Sequence, residues 1–202
     1  MNESADRHAM KMAKKKAIRD RIMTTKTKEK GLIIVNTGKG KGKSTAAFGM
    51  IFRHIAHGRK CAVVQFIKGG MRTGERDLIL DRFSDLCSFH TMGEGFTWET
   101  RDKTRDTDMA QAAWEKAKEL IRDESNRMVL LDEINIALRY NYLDIADVTG
   151  FLKIEKPEMT HVVLTGRNAR EDMIEIADMV TEMELVKHPF RQGMKAQIGV
   201  EF

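Results

Sequence analysis

The chain has 202 residues, of which 42% are hydrophobic and 32% charged, and it carries a formal net charge of +5. Those values fit one soluble globular domain with a core of its own; no stretch is long and apolar enough to span a bilayer, and the charged N-terminus lacks the apolar segment of a secretory signal. The two cysteines, Cys61 and Cys87, lie in apolar runs and read as small buried hydrophobes, so nothing points to an oxidising compartment and the expected location is the cytoplasm.

The charge is unevenly placed. Residues 1–30 hold ten Lys/Arg against four Asp/Glu, which leaves 25 basic and 26 acidic residues in a nearly neutral remainder. A nucleic-acid-binding fold wants a basic face on the fold itself, so neither nucleic acid nor membrane is expected as a partner. Within this arm Met10, Ala13, Ala17, Ile18 and Ile22 recur at steps of three and four. That spacing predicts an amphipathic helix packed against its own chain or a second subunit. The chain thus divides into a basic arm, 1–30, and a nearly neutral body, 31–202.

Leu32–Val35 reads as a buried strand, followed by a glycine–lysine loop from Gly38 to Thr45 and a helix from Ala46 to Ala56, with Gly58 as its terminator. Cys61–Ile67 is a second strand, Glu75–Phe83 a helix and Leu86–Phe89 a short strand. A loop with Gly93, Gly95, Phe96 and Trp98 precedes a charged run to Asp108. Met109, Ala113, Trp114, Ala117, Leu120 and Ile121 form a core-facing helical stripe. Met128–Leu131 is a third strand, ending in Asp132 and Glu133. A helix around 145–152, a strand at His161–Thr165, a helix at Ala169–Ala177 and a last central strand at Met179–Met183 follow. Apolar strands alternating with amphipathic helices imply an α/β fold with a mostly parallel central sheet covered on both faces, a three-layer architecture. In such sheets ligands bind at the carboxyl ends of the strands, where the glycine–lysine loop, the aromatic loop, Asp132-Glu133 and Gly166-Arg167 all fall.

Strand, glycine-rich turn, Gly-Lys-Ser and helix make up the layout of a nucleotide phosphate loop (P-loop). Backbone N–H groups crowd around phosphate oxygens, the lysine supplies a point charge, and the hydroxyl reaches Mg²⁺. Gly38 and Gly42 enclose three residues rather than the usual four, and Thr37 stands where a standard loop has glycine. Gly38, Lys39, Gly40, Lys41, Gly42, Lys43, Ser44 and Thr45 are the candidate nucleotide-binding residues; Lys43 is expected on the terminal phosphates and Ser44 on the metal. Asp132 and Glu133 are candidate Mg²⁺ carboxylates, with the choice between them open. Arg167 and His188 are further candidate nucleotide contacts, although a lone His is more often structural. Phe96 and Trp98 read equally well as an apolar platform for a flat ligand or as loop anchors.

These blocks resemble the bacterial P-loop type of ATP:corrinoid adenosyltransferase. The resemblance is carried by Thr37–Gly49, Val63–Gly69, Gly74-Glu75-Arg76, Gly95-Phe96-Thr97-Trp98-Glu99-Thr100, Leu131-Asp132-Glu133, Thr165-Gly166-Arg167 and Lys195-Ala196-Gln197, in order from Gly31 to Phe202. It implies a loop of the same short spacing that holds triphosphate as a leaving group while Co(I) of a reduced corrinoid attacks the 5′ carbon of ATP. It further implies that Phe96 and Trp98 lie beneath the corrin and displace its lower ligand, and that Ser44 and Glu133 hold Mg²⁺. A flavoprotein reductant and a homodimer, in which the N-terminal helix covers the partner's site, are implied as well. Lys39 stands where the family often has Asn, and Ser44 where Thr is usual. The competing readings are a P-loop ATPase or kinase transferring the γ-phosphate, and a nucleotide-switched module using the basic arm on nucleic acid.

Overall fold

The alternating pattern produces one parallel sheet in the computed structural model, which describes residues 3–67, 72–92 and 103–201. After helix α1 (Glu3–Met23), strand β1 (Ile33–Thr37) leads through the phosphate loop into α2 (Lys43–Ala56). Then come β2 (Cys61–Gln65), α3 (Gly74–Arg82), β3 (Cys87–Thr91) and α4 (Lys103–Arg122). Strand β4 (Met128–Asp132), α5 (Ile134–Arg139), α6 (Ile145–Ile154), β5 (His161–Thr165), α7 (Glu171–Ile176) and β6 (Met179–Glu182) complete the body, and a 3₁₀ turn, Pro189–Gln192, follows. Among the described residues the sheet has six strands in the order β3-β2-β4-β5-β1-β6, all parallel.

The inner strands β1, β2, β4 and β5 are largely apolar because both of their faces are covered. Alternate residues go to opposite layers. Ile34, Val63, Leu130 and Val163 face Phe48, Ile51 and Ile55 of α2 and Ile79 of α3. Val35, Val64, Val129, Leu131 and Leu164 face Ala113, Trp114 and Ala117 of α4, with Leu138, Phe151 and Met173 from α5, α6 and α7. On that second layer the indole N–H of Trp114 donates to Asp147 Oδ2 at 2.6 Å, and its ring meets Phe151 edge-on at 5.3 Å. Cys61 and Cys87 are buried neighbours in register across β2 and β3.

Several boundaries differ from the sequence pattern. Helix α2 starts at Lys43 rather than Ala46, so the lysine and the hydroxyl belong to its first turn. The charged run before Met109 supplies the first turns of α4, because charge on the outer face does not interrupt a helix. The six-residue helix α5 is too short to show a period. Strand β6 is not central: it pairs only with β1 at the sheet edge, and all four residues are exposed. Its four residues, two apolar and two polar, lie at the edge of the sheet and not in its core. Helix α1 forms as expected, but every described side chain on it is exposed, including Met10 and Ile18, and the body of its own chain does not cover it.

At the sheet end opposite the phosphate loop, His161 Nδ1 accepts the Leu32 backbone N–H at 3.0 Å, so this ring carries its proton on Nε2. The ring lies edge-on to His54 at 5.6 Å. Burial holds both imidazoles below the ordinary 6.5; the neighbouring cations Arg59 and Arg127 act on both, and Lys156 acts on His161, in the same direction. The unfolded chain therefore takes up these protons first as the pH falls through 6.5, and folded stability is full above that value and drains away below it. The thermal midpoint is expected to drop between about pH 7 and pH 5, with a shallower drop in the H54Q/H161Q double variant. Parallel pH profiles for the two proteins would remove the imidazoles from this account.

Candidate functional site

The phosphate loop takes its shape from glycines at two kinds of position. Gly38 and Gly42 adopt φ of 96° and 102°, a region that a Cβ disfavours. Gly38 and Gly40 are also pressed against the chain just beyond β6. A Cβ on Gly38 would lie 2.4 Å from the Met183 carbonyl oxygen, and one on Gly40 2.4 Å from that of Glu184. Two backbone bonds hold this approach: Met183 N–H donates to Thr37 O at 2.9 Å, and Gly40 N–H donates to Met183 O at 2.6 Å. The Gly40 amide is thus committed to the protein, whereas the amides that open the first turn of α2 precede the helix's own hydrogen-bond ladder and suit an anion. Lys43 is buried against the loop, its Nζ donating to Gly40 O at 2.6 Å.

Asp132, fully buried at the end of β4, ties the surrounding strand ends together. Its Oδ1 accepts the Ser44 hydroxyl at 2.8 Å and the Thr165 hydroxyl at 2.7 Å, and its Oδ2 accepts Gln65 Nε2 at 3.0 Å. Thr165 Oγ1 in turn accepts the Glu133 N–H at 2.9 Å. That bond holds Glu133 at φ 65°, an unusual value for a residue with a side chain. Gly166 closes this corner. With φ 128° it passes so near that a Cβ would meet Asn135 Cβ at 2.9 Å and Glu133 Oε2 at 3.2 Å.

One pocket brings most of the predicted residues together. Gly40, Lys41, Gly42, Lys43, Ser44, Thr45, Asp132, Glu133 and Arg167 all line it, with Phe48 and Ile136 as apolar walls. The outcome differs for three others. Gly38 is buried beneath the loop and Lys39 is exposed, and neither lines the pocket. His188 lies outside the lining too; its Nδ1 accepts the Phe190 N–H at 3.1 Å and caps the 3₁₀ turn. Phe96 and Trp98 lie outside the described residues. Gln65 and Thr165 were given no role from sequence, yet both hold Asp132; their signal was a polar residue closing an otherwise apolar strand. Glu201, which also lines the pocket and pairs with Lys41, had no such signal.

The arrangement offers a cationic loop, a helix N-terminus and a set of hard oxygens, from Ser44 on the first turn of α2 and from Asp132 and Glu133 at the end of β4. The buried Gln65 Oε1 beside them has no protein donor among the described residues. Among those residues no group of three or more His, Cys, Asp or Glu forms a metal cage. A donor set of one or two carboxylates with a hydroxyl fits Mg²⁺, which retains waters and shares its shell with substrate phosphates. The site is therefore suited to a metal–polyphosphate, and its protein groups act by placing and neutralising charge.

The sequence profile of the family described as ATP:corrinoid adenosyltransferase BtuR/CobO/CobP matches residues 29–202, and that of the cob(I)alamin adenosyltransferase N-terminal segment matches residues 1–23. The chain is 78% identical to a corrinoid adenosyltransferase of a Sinorhizobium species, over 97% of this chain and 92% of that one. It is 50% identical to the corrinoid adenosyltransferase of Pseudomonas aeruginosa over the whole of both chains. With that of Escherichia coli K12 it shares 45% identity over 86% of this chain and 87% of the other. On this similarity, and with a parallel sheet that carries the glycine–lysine loop at its rim, the chain belongs to the ATP:corrinoid adenosyltransferases, enzymes that move the adenosyl group of ATP to a corrinoid.

Proposed function

We propose that the pocket holds the triphosphate of ATP in the short loop and releases it whole when Co(I) of a reduced corrinoid attacks the 5′ carbon. The observation that carries this reading is the Ser44–Asp132 contact at 2.8 Å, which joins the loop's hydroxyl to a buried carboxylate that lines the same pocket. In this reading Lys43, Lys41, Arg167 and the first-turn amides of α2 neutralise the leaving polyphosphate. Phe48 and Ile136 wall the site. Ser44 and Asp132, with Glu133, hold Mg²⁺, which supplies positive charge against the phosphate oxygens. The nucleophile comes with the corrinoid, so the protein's part is orientation and charge stabilisation.

Other parts of the reading rest on the resemblance and on the matches to the family. Phe96 and Trp98 serve as the apolar floor that displaces the lower ligand of the corrinoid. A flavoprotein supplies the electrons, the location is cytoplasmic, and two copies pair through α1. The two profile matches, ending at residue 23 and beginning at residue 29, support a basic arm followed by a catalytic domain. The exposed apolar residues of α1 support a partner subunit as its cover.

Incubated with ATP, Mg²⁺ and chemically reduced cobalamin, the protein is expected to form the light-sensitive adenosylated product. Asp132→Asn should lower kcat/KM at least about 100-fold, as loss of one charge-stabilising group does, with a native circular-dichroism spectrum. Lys39→Ala, outside the pocket, should change it by no more than about twofold. Near-equal losses in the two variants would displace Asp132 from the site. A second expectation separates the aromatic floor from the nucleotide machinery: the F96A/W98A variant should lose far more rate from Co(II) with a flavin reductant than from preformed Co(I). Equal losses in the two assays would return the pair to a structural role.

A further inference from the structure

The segment after β6 returns to the phosphate loop twice. Residues 183–184 lie against Gly38 and Gly40, and Val200 and Glu201 line the nucleotide pocket itself. Between them the chain turns at Gly193 and Gly199, whose φ values of 76° and 80° favour glycine although a Cβ at either would meet open space. A closing turn, in which the amides of Val200 and Glu201 both donate to Gln197 O at 3.1 and 3.0 Å, presents the Glu201 side chain to the loop. Its carboxylate forms an ion pair with Lys41 Nζ and is only 16% exposed, while Lys41 is 50% exposed.

A carboxylate in this place is unexpected in a polyphosphate site. Each feature that holds ATP, namely the lysines, the α2 N-terminus and the strand-end oxygens, holds free triphosphate equally well. Binding that is uniform before and after the chemical step slows product departure. We propose that Glu201 is an internal counter-ion that competes with the polyphosphate for Lys41, lowering the loop's affinity for the departing triphosphate. The inference rests on the reading above that triphosphate leaves whole from this loop. While the loop is empty Lys41 is neutralised by Glu201. When polyphosphate is bound, the carboxylate is either expelled from Lys41 or held beside phosphate oxygens of like charge, and both arrangements oppose retention. Departure of the polyanion restores the ion pair.

The test measures binding of inorganic tripolyphosphate with Mg²⁺ by titration calorimetry at low salt, for the unaltered protein, E201Q, K41M and the K41M/E201Q double variant. E201Q is expected to bind about tenfold more tightly, the scale of one like-charge contact at a partly exposed site. The gain should shrink when Lys41 is Met, because the anchor for Glu201 is then gone, and it should narrow in 0.5 M salt, at a screening length of roughly 4 Å. Thermal midpoints of the four proteins check that each is folded. E201Q binding as tightly as the unaltered protein, or more weakly as loss of a metal ligand would make it, overturns this proposal and leaves the adenosyl-transfer reading intact. Failure of all four folded proteins to bind tripolyphosphate overturns both.

Discussion

Asp132 is the constraint on which the rest of the site depends. Its two oxygens accept from Ser44 on α2, Thr165 on β5 and Gln65 on β2, so one side chain joins the glycine–lysine loop to the ends of two neighbouring strands. A fully buried carboxylate carries a desolvation cost of several kcal/mol. Three charge-assisted hydrogen bonds at about 1.5–3 kcal/mol each offset that cost and leave little net gain in stability. A hydrophobic residue in its place would leave the Ser44, Thr165 and Gln65 donors without an acceptor. What the carboxylate adds is a negative charge with fixed orientation beside a hydroxyl on the first turn of α2.

The short loop has a matching structural cause. In this fold the glycines do not all serve the nucleotide. Gly38 and Gly40 allow the chain beyond β6 to lie directly on the loop, and the Gly40 amide is used in that contact. Edge strand β6 pairs with β1 residue for residue up to Thr37–Glu182, so the register carries residues 183–184 onto the loop without a gap. The loop is therefore supported from outside by backbone, and residues 40–45 line the pocket on its other side. Preorganisation of this kind stabilises charge as it develops, without reorganisation at the moment of reaction.

Much of the fold was legible in the sequence because strands covered on both faces leave unbroken apolar runs, as at Cys61–Gln65 and His161–Thr165. The phosphate loop was legible because its residue types are needed close together in the chain, and Asp132 because an acid pair closes an apolar strand. What sequence did not show depends on contacts between distant segments or on edges. Strand β6 looked like the central ones, since four residues do not reveal whether a neighbour lies on both sides. Gln65 and Thr165 are polar strand ends, which become informative only once the parallel order places them beside Asp132. The repeat did not distinguish Lys39 from Lys41 as a lysine on the polyphosphate or in solvent; beside the turn at Gly38, Lys39 is exposed and outside the pocket, and Lys41 lines it. Glu201 meets Lys41 across 160 positions of chain, a pairing that no local spacing encodes.

The central claim is that this loop grips a triphosphate that departs whole, with bond breaking at the 5′ carbon and not at phosphorus. ATP carrying ¹⁸O in the bridge between the 5′ carbon and the α-phosphorus tests it directly, with mass analysis of the phosphate products after reaction with cob(I)alamin. The account predicts that the label leaves in tripolyphosphate, with the adenosyl group on cobalt free of it. Label retained in an adenine nucleotide, with orthophosphate or diphosphate released, would contradict it.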